Sequence, residues 1–375
     1  VIPQLDAVYC EGWDPVTRGV VGVLDPAVAR ARDSRGEQYA VLLLVGDVPF
    51  ALMEIAWAYR ACTVWHFDDE LRRWLKHDLR RLADDDLFLI EAVEWTYFDP
   101  AHDEFDPSAT QETEEYAPDG NDAGWAHHPM PQFGDWSSLA ALHDDGLRCL
   151  ACVDAAALPE QVAPSPLAEP PWRPPQPLQP DLDAVLQNGG RLRLAYEDAT
   201  EDSIVELREA GELRMPTGRL VAADPYPLEF GNKPFTETVP PGSYPVIISY
   251  LPDSGTTAAA RLVIRDEPVE RWELALCAGQ DTIALGDGEF YGFGVDTGTA
   301  CFVDAAGADA LPALLEPRWI EFHDREHGPT QTVDLGESGA NVISWASGYG
   351  DGSYPTWIGR TKGGEIACFV ADMLM

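Results

Sequence analysis

The side chains best able to do chemistry in this 375-residue chain are carboxylates, and two groups carry motif spacing, Asp253-Ser254-Gly255 and Asp296-Thr297-Gly298. Paired Asp-Ser/Thr-Gly loops are one way for two carboxylates to share a proton and act together as general acid and general base. Here the two lie 43 residues apart, too close for each to have its own lobe, and Pro252 stands where an apolar strand should enter. Hairpin turns account for both. A metal-dependent or acid–base hydrolase would instead draw on Asp224, Asp296, Asp304 and Asp351, converging from loops at one end of a domain.

Metal and nucleotide chemistry have weaker support. Cys149-Leu150-Ala151-Cys152 has half of a zinc-site spacing, but a second Cys-x-x-Cys is absent, so two small residues on a buried strand over 147–153 are expected. His323 and His327 stand four apart, yet Asp324 follows the first histidine where a zinc hydrolase has Glu, and Gly328-Pro329 ends any helix at once. No calcium-loop spacing, Gly-Lys-Ser/Thr or Gly-x-Ser-x-Gly occurs. No cofactor is expected from these residues. The seven cysteines are an odd number scattered through apolar segments, which fits reduced, buried thiols in a cytoplasmic protein.

Charge says more. The formal net charge is −39, and from Leu82 to Leu147 there is no Lys or Arg among 17 Asp and Glu. Such a surface repels phosphate backbones and anionic lipid and favours a cationic partner. Within it, Asp99, Asp103, Glu104, Asp106, Glu112, Glu114, Glu115, Tyr116, Asp119 and Asp122 mix carboxylates with aromatic neighbours such as Trp95 and Phe105. Aromatics anchor and carboxylates steer, so these residues are the candidate contact set for a basic protein.

The elements that must position these residues follow from pattern. Tyr39–Val45, a Gly46-Asp47 turn and the run from Phe50 to Phe67 predict an antiparallel hairpin. Leu71, Trp74, Leu75, Leu79 and Leu82 fall on one helical face, with acids at the start and Arg80 and Arg81 at the end, and predict an amphipathic helix over 68–82. Strand character returns over 87–98, residues 99–132 read as a long exposed or disordered acidic loop, and a short helix is expected over 136–143. Together these give an N-terminal α+β domain over 1–157. Dense proline over 158–181 reads as a semi-rigid linker. Beyond it, over 182–375, short apolar stretches punctuated by Gly and Pro predict a mainly-β, sandwich-like domain with no evident internal repeat. The longest clean apolar run, Ala40 to Val45, is too short to span a bilayer, and no basic, then apolar, leader is seen.

Within that second domain an ordered set of motifs resembles a bacterial family, domain of unknown function 4241. It comprises Pro216-Thr217-Gly218-Arg219, Ala223-Asp224-Pro225, Val239-Pro240-Pro241-Gly242-Ser243-Tyr244-Pro245-Val246, Val295-Asp296-Thr297-Gly298, Cys301-Phe302-Val303-Asp304, Gly350-Asp351-Gly352-Ser353-Tyr354 and a last strand over 364–372. The resemblance covers about residues 204–375 and implies a fold, since the family has no settled activity. The expected protein is thus a non-catalytic cytoplasmic binder of a basic partner, of the kind that immunity proteins exemplify, with the Asp-based hydrolase as the alternative. Neither nucleic acid nor membrane is an expected partner, and the oligomeric state is left open.

Overall fold

The computed structural model describes residues 5–82, 86–116, 126–143, 171–195, 200–226, 233–309, 311 and 329–375, and the backbone alone of 152–154. Contacts divide the chain into two compact units, Val1–Gln176 and Pro177–Met375. Both are mainly β.

The first unit runs β1 (Leu5–Cys10), β2 (Gly12–Asp14), β3 (Gly19–Val21), α1 (Pro26–Arg35), β4 (Tyr39–Val45), β5 (Val48–Ala56), β6 (Ala61–Phe67), β7 (Arg73–Arg81), β8 (Asp86–Thr96), β9 (Thr110–Glu115), β10 (His127–Pro129), α2 (Ser137–Ala140) and β11 (Cys152–Asp154). Nine of these strands form one sheet in the order β10-β8-β7-β6-β5-β4-β1-β11, with β9 also on β8. Among the described residues of this sheet, β1 and β11 pair in parallel and the other neighbours are antiparallel. Gly46-Asp47 joins β4 to β5, with Val45 opposite Val48 and Gly46 at φ 65°.

Alternation along the strands gives this sheet two apolar faces. Tyr39, Val41, Leu43, Met53, Val64 and Phe88 build one face with Trp136 and with Ala29 of α1, whereas Leu42, Leu44 and Leu52 build the other with Trp13. Asp25 caps α1 by accepting from the Ala27 N–H, and Gly36 ends it in the left-handed region.

The amphipathic helix expected over 68–82 is not formed. Asp68 Oδ1 accepts from the Glu70 and Arg72 N–H groups, making a turn, and the chain then enters β7, hydrogen-bonded to β6 on one side and β8 on the other. Leu75 and Leu79 satisfy both a four-residue and a two-residue period. His77, buried between them, completes the strand pattern, and its polarity disguised that pattern in the sequence. The expectation of a long exposed or disordered loop over 99–132 is corrected where β9 and β10 pair with β8, although β9 is exposed as expected and 117–125 lie outside the described residues.

The second unit contains β12 (Arg191–Ala195), β13 (Thr200–Ile204), β14 (Glu206–Met215), β15 (Leu220–Ala223), β16 (Gly242–Leu251), β17 (Thr256–Val263), β18 (Arg271–Leu274), β19 (Gly292–Val295), β20 (Thr299–Asp304), α3 (Ala305–Ala308), β21 (Thr330–Asp334), β22 (Asn341–Ala346), β23 (Gly352–Arg360) and β24 (Ile366–Asp372). A seven-stranded sheet runs β14-β16-β17-β24-β23-β18 with β19 on β23, and a four-stranded sheet runs β15-β20-β22-β21. One core draws on both: Leu213, Val246, Ile248 and Phe369 from the larger sheet pack with Leu220, Phe302, Ile343 and Trp345 from the smaller. Two antiparallel sheets sharing a core make this unit a sandwich-like domain.

Candidate functional site

The acidic stretch is positioned by the outer strands of the first unit. Thr63, Asp78 and Glu91 line up across β6, β7 and β8, and Trp65, Lys76 and Val93 form the next row on the same face. Lys76 Nζ bridges Asp78 at 2.5 Å and Glu91 at 2.7 Å. Burial pushes the lysine pKa down, but the two carboxylates outweigh it and hold the ammonium above its ordinary value. Behind this row, Glu54 of β5 is buried and accepts from Trp65 Nε1 at 3.0 Å. Burial raises its carboxyl to about 7, against which the Trp65 hydrogen bond and the Arg73 charge pull only partly.

Residues 97–109 fold back over this face, and two arginines hold them there. Glu104 takes the Arg73 backbone N–H at 2.8 Å and the guanidinium at 2.7 Å, with the Glu104 side chain only 8% exposed. The Arg73 guanidinium lies 4.7 Å over Trp65 and 5.2 Å over Phe105. Arg72 donates to the Asp99 and His102 carbonyls and stacks 4.2 Å over Tyr97. The Tyr97 hydroxyl donates to the Arg73 carbonyl and accepts from the Phe105 N–H. Trp65, Trp95 and Phe105 meet with ring centres 4.9 to 5.9 Å apart. Beside them opens a cleft of about 450 Å³, lined by these rings, Lys76, Asp106 and Gln111 among others.

The ten candidate contact residues thus fall into distinct settings. Glu104 is consumed by Arg73. Asp99 and Asp106 accept from N–H groups two residues on, Ala101 and Ser108, and so shape turns, while Asp103 is exposed. Glu112, Glu114 and Glu115 stand exposed on β9, and the Tyr116 hydroxyl donates to Glu114. Burial and that carboxylate lift Tyr116 to about 12. Asp119 and Asp122 lie outside the described residues. Among the described residues β9 pairs with β8 alone, on one of its two edges.

In the second unit the four candidate aspartates separate. Asp304 is buried and accepts from Thr217 Oγ1 at 2.8 Å, from the Thr217 and Arg219 N–H groups, and from the Ala306 N–H at the start of α3. Asp224 is likewise buried and accepts from the N–H groups of Tyr226, Asp296 and Thr297 and from Thr297 Oγ1 at 2.8 Å. Each carboxylate is a clasp between two turns. Asp296, held by the second clasp, is exposed and lines with Asp224 a cleft of about 290 Å³ that also contains Lys233, Cys277 and Tyr291. Asp351 is exposed before β23. Asp224 and Asp296 therefore share a cleft, whereas Asp304 lies at the opposite end of the β15–β20 ladder, where it pairs with Leu220. Burial raises the Cys277 thiol, leaving it a poor nucleophile in that cleft.

A sequence repeat also emerges. Gly242-Ser243-Tyr244-Pro245 and Gly352-Ser353-Tyr354-Pro355 open β16 and β23, and in each the tyrosine hydroxyl donates to the carbonyl four residues back, Pro240 or Gly350. The expectation of no internal repeat is corrected at this short scale. Gly218 has φ +70°, and a Cβ there would come within 1.8 Å of the Val239 carbonyl oxygen, so glycine is required where these turns close.

Cys10, Cys62, Cys277, Cys301 and Cys368 are free thiols. Cys149, His323 and His327 lie outside the described residues, and of Cys152 only the backbone is described, in β11. No helix among the described residues is long and apolar enough to cross a membrane.

The second unit is, by fold and by its carboxylate-clasped turns, a domain of antiparallel sheets in which Asp224 and Asp304 serve the turns. Residues 213–371, within the second unit, match the model of the family described as Protein of unknown function (DUF4241). No curated protein and no solved structure matches the chain.

Proposed function

We propose that the protein is a non-catalytic, cytoplasmic binding protein that engages a basic protein partner along β9, in the manner of an immunity protein. The observation that carries this reading is the exposed strand β9, which among the described residues pairs on one edge alone and bears Glu112, Glu114 and Glu115 next to an aromatic cleft. An extended partner segment can add to the other edge as a strand, its backbone supplying affinity and its alternate side chains supplying specificity. Lysine or arginine side chains from the partner meet the three carboxylates, and an aliphatic stem can lie against Trp65, Trp95 and Phe105. The charge steers approach, and phosphate-bearing polymers are turned away by the same field. The hydrolase reading has less to stand on, because Asp224 and Asp304 already accept several hydrogen bonds each as clasps.

The test uses the full chain and a labelled, extended Lys/Arg-rich peptide followed by fluorescence anisotropy. Binding should weaken steeply between about 50 and about 300 mM salt, and converting Glu112, Glu114 and Glu115 to Lys should reduce affinity at least about tenfold. The same reversal at the exposed Glu209, Glu267 and Glu270 of the second unit should leave affinity within about twofold. Equal losses from both reversals would reduce the effect to bulk charge and overturn the assignment to β9.

A further inference from the structure

Four of the eight histidines in the chain gather at one place in the first unit, a concentration that neither the acidic edge nor the apolar core explains. His66 of β6 and His77 of β7 project from the face that also carries Cys62, Val64 and Leu79, and their ring centres are 5.8 Å apart. His143, just past α2, closes on His66 at 5.4 Å and is braced edge-on by Trp74 at 4.9 Å. Phe50 packs edge-on against His66 from the other side. His128 of β10 is near enough for its charge to act on His77.

His66 is 1% exposed, and neither of its ring nitrogens has a hydrogen-bond partner; His77 is 8% exposed, and its Nδ1 has none. A neutral imidazole carries one donor and one acceptor, and leaving such groups buried and unmet is unfavourable. Burying a phenyl ring in the same space would incur no such cost. The nitrogens therefore call for a ligand.

We propose that His66, His77 and His143, with His128 beside them, form a binding site for a late first-row divalent cation such as Zn²⁺. Imidazole nitrogen is a preferred donor for such ions, whereas Mg²⁺ and Ca²⁺ want oxygen. With metal–nitrogen bonds of about 2.0–2.1 Å and about 1.1 Å from nitrogen to ring centre, two imidazoles on one tetrahedral ion have centres roughly 5–6 Å apart. The separations of 5.4 and 5.8 Å match that span. Among the described residues no group of three or more His, Cys, Asp or Glu is already arranged to hold an ion, so the rings must turn to converge their donors. Histidine's terminal torsion is broad, and such a turn is cheap. The exposed His143 provides the way in.

The full chain, stripped with chelator, should bind one Zn²⁺ in calorimetric titration and leave Mg²⁺ unbound, and Co²⁺ should give the visible bands of a tetrahedral site. His143→Ala, a change at an exposed position, should weaken Zn²⁺ at least about tenfold, and His66→Phe should abolish the Co²⁺ bands while keeping the ring packing. A variant lacking His323 and His327 should bind as the parent does. Absence of saturable binding by the parent chain, or undiminished binding by His143→Ala, would overturn the proposal; loss on removing His323 and His327 would move the site elsewhere and overturn it too.

Discussion

Replacing Glu54 by Gln should flatten the pH dependence of the first unit's stability above pH 4.5. In the folded chain this carboxyl is buried behind Trp65 and titrates at about 7, against an ordinary 4.5. The folded state thus holds the proton more tightly than the unfolded state. The stabilisation is complete below pH 4.5 and is lost as pH rises through 7. A difference of about 2.5 pKa units at about 1.36 kcal/mol per unit gives a loss of about 3 kcal/mol between pH 4.5 and 8.5. The Gln amide oxygen can still accept from Trp65 Nε1, so the variant keeps the hydrogen bond without the proton. Urea unfolding followed by tryptophan fluorescence, at half-unit steps from pH 4.5 to 8.5, measures both proteins, and titrating groups remote from Glu54 cancel in their difference. The variant should gain on the parent as pH rises, reaching about 3 kcal/mol at pH 8.5. Parallel profiles would refute the reasoning, since they would mean that Glu54 titrates alike in both states.

Removing Arg73 should unfasten residues 97–109. Arg73→Met leaves Glu104 without its guanidinium in a site where its side chain is 8% exposed, a loss of about 3–5 kcal/mol that hydrogen exchange should register as lost protection in that segment and β9. In the second unit, Asp304→Asn should cost about 1–3 kcal/mol in thermal or urea unfolding because one oxygen that accepts from Thr217 becomes a donor, whereas Asp296→Asn, at an exposed position, should change stability by less than about 0.5 kcal/mol. Equal effects would deny Asp304 its role as a clasp.

The second unit was legible in the sequence because its strands are short, apolar and separated by turn residues whose chemistry is local. The short apolar stretches expected over 182–375 correspond to strands such as β16, β20, β22 and β24. In the first unit the same logic located β4, β5 and β8 but misjudged β7. A strand with a histidine between two leucines and an arginine pair at its end carries helix-like spacing, and only its two hydrogen-bonded neighbours decide the matter. The acidic segment was misread for a related reason. Its order comes from Arg72 and Arg73, some 30 residues upstream, and such long-range pairing leaves no periodic trace in 97–109 itself. The histidine cluster was hidden likewise, because its members come from β6, β7, β10 and the end of α2. Glu54 could have been suspected as the lone acid in an otherwise apolar strand.

An open edge strand is a hazard as well as an opportunity, since it offers its free backbone groups to a second copy of itself as readily as to a partner. On β9, any copy arriving edge to edge brings Glu112, Glu114 and Glu115 against their own kind. Like charges across a ladder disfavour that pairing. The charge on this edge thus works against its pairing with a second copy of itself. That disfavour depends on the carboxylates staying ionised and unscreened, so acid or high salt would relax it, and self-association followed by light scattering should then rise.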